Sequence, residues 1–65
     1  MLDFRMETFL ALCRTMNYTR AAEELRITQP AVTQHIQYLQ RHYGVKLFSY
    51  HDKRLALTEA GEALH

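Results

Sequence analysis

A chain of 65 residues makes one domain with one small core, near the lower limit for folding without staples, and leaves no room for a deep catalytic cleft. Its net charge of +1 is weak for a nucleic-acid binder, so any such role rests on where the charges fall. The single cysteine, Cys13, excludes an internal disulfide, and with no signal-peptide pattern and no long apolar run the expectation is a soluble chain in a reducing cytoplasm without membrane contact.

The first helix is expected from about Asp3 to Met16, with Leu2, Met6, Phe9, Leu10 and Cys13 on one side at spacings of three and four. That stripe is most simply core, and Cys13 on it reads as a small packed residue rather than a nucleophile. Asp3 is the expected cap, and Asn17 the expected end before Tyr18 enters the next element. Thr19 is then read as the cap of a short helix through Ala21, Ala22 and Leu25, and Thr28 as the cap of a longer one with Pro30 in its first turn. A three-residue turn joins them. Ala22 and Val32 stand where a helix-turn-helix needs a small residue for close approach and a branched one to wedge between the helices. Arg26 holds the turn position where glycine is common, so the turn either avoids a left-handed conformation or tolerates one.

In the longer helix Val32, Ile36, Leu39 and Tyr43 are expected to pack on the first helix, leaving Pro30, Thr33, Gln34, Gln37 and Arg41 outward. Gly44 supplies a stop. Residues 46–50 and 55–58 flank His51-Asp52-Lys53-Arg54 as two short strands flank a turn, the shape of a wing, although the usual Asn-Gly or Asp-Gly is missing. Thr58 caps a last helix over residues 59–65, whose acidic first turn suits the helix dipole. About two turns are marginal alone, so the sequence is expected to break off inside an element. The fold expected is mainly α, a winged helix-turn-helix over residues 1–58 with three core helices and a two-stranded wing, followed at 59–65 by the start of a linker helix.

The charges favour the second half. Arg5, Arg14, Arg20 and Arg26 are balanced by Asp3, Glu7, Glu23 and Glu24, whereas Arg41, Lys46, Lys53 and Arg54 face Asp52 alone across residues 29–58. His35, His42 and His51 lie in the same half, where partial protonation adds to the field. Glutamine makes paired hydrogen bonds to adenine in the major groove, and threonine or proline meets the thymine methyl, so Gln29, Pro30, Thr33, Gln34 and Gln37 are candidates for base contact. Thr19 and Thr28, near free helix N–H groups, are candidates to hold phosphate, and Lys53 and Arg54 to lie on the backbone or in the minor groove. A glutamine-rich face is often plain solvated surface; here the surrounding motif reverses those odds. His35 and His42 stand two turns apart, too far to chelate one metal ion. Tyr18, Tyr38, Tyr43 and Tyr50 lack the sheet platform that stacks single strands, so structural or phosphate-contact roles are expected of them. No catalytic spacing or phosphate loop appears, so an enzyme is not expected. The alternative is a winged-helix protein-interaction module; structured RNA is disfavoured because A-form grooves do not admit a recognition helix.

Met6, Phe9, Asn17 to Leu25, Ile27 to Thr33, Ile36, Leu39, Gly44 to Phe48 and Leu57 to Gly61 together carry a further reading. In their order and spacing the chain resembles the N-terminal DNA-binding domain of LysR-type transcriptional regulators. The resemblance implies a bacterial transcription regulator whose recognition helix, about 29–43, reads an A/T-rich interrupted inverted repeat in double-stranded DNA, with wing 50–55 on the backbone or minor groove. It assigns Gln29, Pro30 and Thr33 to base-contacting positions, Thr28 to the helix start, and Lys53 and Arg54 to the wing. It further implies a homodimer or tetramer of a longer protein with a separate domain for a small-molecule effector; this chain itself calls for no cofactor. Three residues depart from the pattern. Gln34 stands where arginine is frequent, Tyr50 replaces a wing arginine, and Gln40 replaces a glutamate, removing a structural ion pair.

Overall fold

The computed structural model describes residues 3–65 in the order α1 (Phe4–Thr15), α2 (Tyr18–Leu25), α3 (Gln29–Tyr43), β1 (Phe48–His51), β2 (Arg54–Leu57) and α4 (Glu59–Leu64). Leu2 of the expected apolar stripe lies outside those residues.

Local chemistry sets the helix ends. Asp3 accepts from the Arg5 N–H at 3.0 Å, Thr28 from Ala31 at 3.3 Å and Thr58 from Gly61 at 3.0 Å, each relieving an orphan donor of a first turn. Thr19 does not cap α2. Met16 turns left-handed (φ 51, ψ 35) and ends α1, which throws Asn17 into an extended conformation, and the Asn17 side chain accepts from the Arg20 N–H at 2.9 Å. Asn17 therefore starts α2 rather than ending α1, and Thr19 sits inside the first turn. Arg26 adopts the left-handed conformation (φ 59, ψ 42) without being glycine, at a cost of about 1–2 kcal/mol. Its own N–H and that of Ile27 close onto the end of α2, and Ile27 packs on the core. Gly44 ends α3 left-handed as expected.

α1 packs against both α2 and α3, so its apolar surface is wider than one stripe: Thr8, Phe9, Ala11 and Leu12 are buried, while Met6, Leu10 and Cys13 are only partly covered. Ala21 and Ala22 let α2 approach closely, and Val32, Ile36 and Leu39 bury the inner face of α3. Tyr43, expected in the same row, is 48% exposed. The last turn of α3 overhangs the three-helix core, and Tyr43 borders a surface groove with Val45, Leu47 and Leu64 instead.

β1 and β2 pair antiparallel with His51 opposite Arg54, so the strands begin and end within two residues of their expected bounds. The two-residue turn Asp52-Lys53 has positive φ at both positions (51 and 66), as a type I′ hairpin requires. Phe48 anchors the wing's base edge-on to Phe9, ring centroids 5.7 Å apart. Four further hydrogen bonds fix that base. The Gln40 side chain accepts from the Leu47 and Phe48 N–H groups at 2.9 and 3.4 Å, the Thr58 N–H donates to Leu47 O at 3.0 Å, and the Thr58 hydroxyl donates to Lys46 O. Gly61 is required here: a Cβ would stand 2.2 Å from Leu47 O.

Candidate nucleic-acid interface

α3 has four sides, set by 100° of rotation per residue. Val32, Ile36 and Leu39 point into the core. Gln40 marks the flank toward the wing through its bonds to the start of β1, and Gln29 and Thr33 share that flank by helical spacing. His35 marks the opposite flank, toward α1. Between the flanks, away from the core, lie Pro30, Gln34, Gln37 and Arg41, all exposed.

Gln29 is exposed at the start of the helix. Thr33 is half-buried rather than fully outward, and its hydroxyl donates to Gln29 O at 3.3 Å, leaving the methyl as its free group. Thr28 is exposed; its oxygen accepts from Ala31, which leaves the hydroxyl proton available for an acceptor outside the protein. A cleft of about 260 Å³ opens between the N-terminus of α2, the start of α3 and the wing, lined by Tyr18, Thr19, Gln29, Tyr50, Lys53 and Leu55. Thr19, Gln29 and Lys53, assigned from different sequence segments, thus converge on one concavity. Arg54 does not line it. Lys53 occupies the wing's turn and Arg54 the first rung of β2, so two residues ranked alike in sequence differ in place.

Tyr18 and Tyr50, expected from the sequence only in structural or phosphate-contact roles, line the same cleft. Burial, and then the proximity of Tyr50, push the Tyr18 phenol up from its ordinary range, which keeps it a neutral hydroxyl donor. Gln40 was read only as a lost ion pair, yet its amide oxygen fastens the wing to the recognition helix. No local pattern signals that role, because the partners are backbone groups seven and eight residues on.

The electrostatics follow from pairing. Among the described residues two ion pairs form, Arg5 with Asp3 and Arg14 with Glu24, which leaves Arg20 and Arg26 on and after α2, as well as Arg41, Lys46, Lys53 and Arg54, without a carboxylate partner there. His35 does not join them as expected. Its Nδ1 lies 2.8 Å from the Thr8 hydroxyl and its ring stands edge-on to Phe4 at 5.0 Å. Burial and then the Arg5 charge push its pKa below the ordinary histidine value, against a smaller opposing effect of Asp3, so near neutral pH it is uncharged. Burial likewise raises the Cys13 thiol, the reverse of what a reactive thiolate needs.

A family model described as bacterial regulatory helix-turn-helix protein, lysR family, matches residues 4–62. The chain belongs to the LysR family. Among curated LysR-type relatives, it is 43% identical over 60 residues to the HTH-type transcriptional activator CmpR of Synechocystis, a match that covers 92% of this chain and 20% of CmpR. The chain thus spans about a fifth of the length of the curated relatives it matches. A crystal structure of a LysR-family transcriptional regulator from Eggerthella lenta superposes with a TM-score of 0.94 at 72% identity, covering 98% of this chain and 91% of that one. A CbnR DBD–DNA complex superposes with a TM-score of 0.86 at 31% identity, covering 97% and 74%. The winged helix-turn-helix is therefore the family's fold, and the relatives are transcriptional regulators. Among the described residues, no helix is long and apolar enough to cross a membrane.

Proposed function

We propose that this chain is the module with which a bacterial LysR-type regulator reads a specific sequence in double-stranded DNA. The observation that carries the reading is the juxtaposition of four exposed hydrogen-bonding or methyl-contacting residues at the start and outer face of α3 (Gln29, Pro30, Gln34 and Gln37) with a wing that brings Lys53 to the cleft beside Gln29. In the major groove, Gln29, Gln34 and Gln37 offer paired donors and acceptors to adenine, and Pro30 and the Thr33 methyl offer apolar contact to thymine. Thr28 and Thr19 donate to phosphate, and Lys53 and Arg54 lie on the backbone or reach the minor groove. The preference that follows is for A·T pairs.

One module makes few base contacts, so useful affinity comes from two copies on two half-sites, an A/T-rich interrupted inverted repeat. In this reading residues 1–58 are the DNA-binding domain, and 59–65 begin a linker helix through which a longer cytoplasmic protein forms homodimers or tetramers and responds to a small-molecule effector bound elsewhere. The test is selection of bound sequences from a randomised duplex library with artificially dimerised protein. Enrichment of an interrupted inverted repeat with A·T pairs is expected. Salt-sensitive binding without enrichment would reduce the role to backbone binding, and no binding would favour a protein-interaction module.

A further inference from the structure

The wing accounts for one flank of α3. On the other flank a cleft of about 470 Å³ runs between α1 and α3, lined by Phe4, Arg5, Gln34, Gln37, Tyr38 and Arg41 among others, and no carboxylate lines it. Arg5 is held in place there. Its guanidinium carbon stands 3.8 Å from the centre of the Tyr38 ring and 4.7 Å from that of Phe4, and one nitrogen meets Asp3 at 3.3 Å. A guanidinium has five N–H donors in a planar fork, and a single 3.3 Å contact leaves most of them available. Arg41, exposed on the outer face of α3, has no carboxylate partner among the described residues. Gln34 and Gln37 border the same cleft, so Arg41 continues the face that reads bases toward the end of α3, and Arg5 of α1 adjoins it.

Position decides what these cations meet. Gln40 ties one flank of α3 to the base of the wing and His35 ties the other to Thr8 of α1, and five residues of helix place those side chains roughly 140° apart around the axis. A helix in the major groove has one phosphate strand on each side. We infer that Arg5 and Arg41 form a second phosphate-contact site, on the DNA strand opposite the one met by the wing. Tyr38 acts as a positioning residue, its ring holding the Arg5 fork at the rim of the groove. This rests on the DNA reading above and extends the footprint onto α1.

The experiment measures binding to a fluorescent mixed-sequence duplex as a function of salt. Each neutralised phosphate contributes a slope of about 0.9 in log K against log salt. Arg41→Gln, at an exposed position that should not disturb folding, is expected to lower the slope by about that amount, and Arg5→Gln likewise, with Arg5→Lys restoring the loss. Arg14→Gln, which removes the same charge from an arginine paired with Glu24, should leave the slope unchanged. Asp3→Asn keeps the α1 cap, since asparagine caps as well as aspartate, and frees the Arg5 fork; tighter binding is expected. Unchanged slopes for Arg41→Gln and Arg5→Gln, with Asp3→Asn binding as the parent does, would make Arg5 a packing residue and overturn the inference while duplex binding stands. Absence of salt-dependent binding by the parent chain would overturn the DNA reading and this inference with it.

Discussion

The helix-turn-helix is held by side chains buried beneath it, the wing by a few contacts at its base. Val32, Ile36 and Leu39 fix α3 against α1 and α2, whereas beyond Phe48 every residue of β1 and its turn is half-buried or exposed. Backbone strain does not separate the two, since Met16 and Arg26 end α1 and α2 with positive φ just as Asp52 and Lys53 turn the wing. The difference fits a division of labour. Base edges require donors held to a fraction of an ångström, which a packed helix supplies, while backbone charge attracts over a longer range and tolerates a looser support.

The packed helices are the more sensitive of the two to substitution. Leu39→Ala removes a buried anchor of α3 and is expected to cost about 2–5 kcal/mol in thermal or urea unfolding, enough to unfold much of so small a domain. Gly61→Ala attacks the wing's base by driving a methyl toward Leu47 O, and a cost of about 1–3 kcal/mol is expected. A cost near zero in urea would mean that α4 does not hold the wing. Gln40→Leu leaves the Leu47 and Phe48 N–H groups without their side-chain acceptor, at about 1–3 kcal/mol, while Gln40→Glu keeps an acceptor there and should match or exceed the parent's melting temperature. Equal losses for both would remove the latch from the account.

Smaller effects sharpen it. Lys53→Gly relieves a left-handed lysine and is expected to stabilise the fold by about 1 kcal/mol while lowering the salt slope of duplex binding by about 0.9, so stability and affinity move in opposite directions. Tyr50→Arg, which adds a cation beside Lys53, should raise duplex affinity and steepen that slope. The pH effect is the mildest. Because the folded pKa of His35 is lowered, the unfolded chain binds the extra proton more readily, and stability falls as pH drops through the ordinary histidine range. His35→Gln should flatten that part of the stability–pH profile.

What was legible in the sequence divides along the same line. As helix ends, Asp3, Thr28, Thr58 and Gly44 act through near neighbours or their own backbone preference and could be read directly, whereas the bonds from Thr58 to Lys46 and Leu47 could not. Asn17 and Thr19 are both competent caps two residues apart, and the choice between them was made by Met16 turning left-handed, which nothing in its side chain announces. Tyr43 keeps the apolar spacing of α3 but extends past the helices that would cover it; periodicity gives direction and not the length of the neighbour. Pro30, Gln34, Gln37 and Arg41 were found as an exposed face because their spacing defines one, while Thr33, expected with them, lies on the flank toward the wing and is half-buried. The cleft that joins Gln29 to Tyr18, Tyr50 and Lys53 was not, since it depends on how the wing folds back on α2. The Arg5–Tyr38 contact spans 33 positions of sequence and left no local trace.

The central claim, that the start of α3 reads base edges, is tested most directly by Gln29→Ala measured on the selected site and on a scrambled duplex at one salt concentration. A loss of about 1–3 kcal/mol is expected on the selected site and much less on the scrambled one. Equal losses on both duplexes would make Gln29 a backbone contact and contradict the claim.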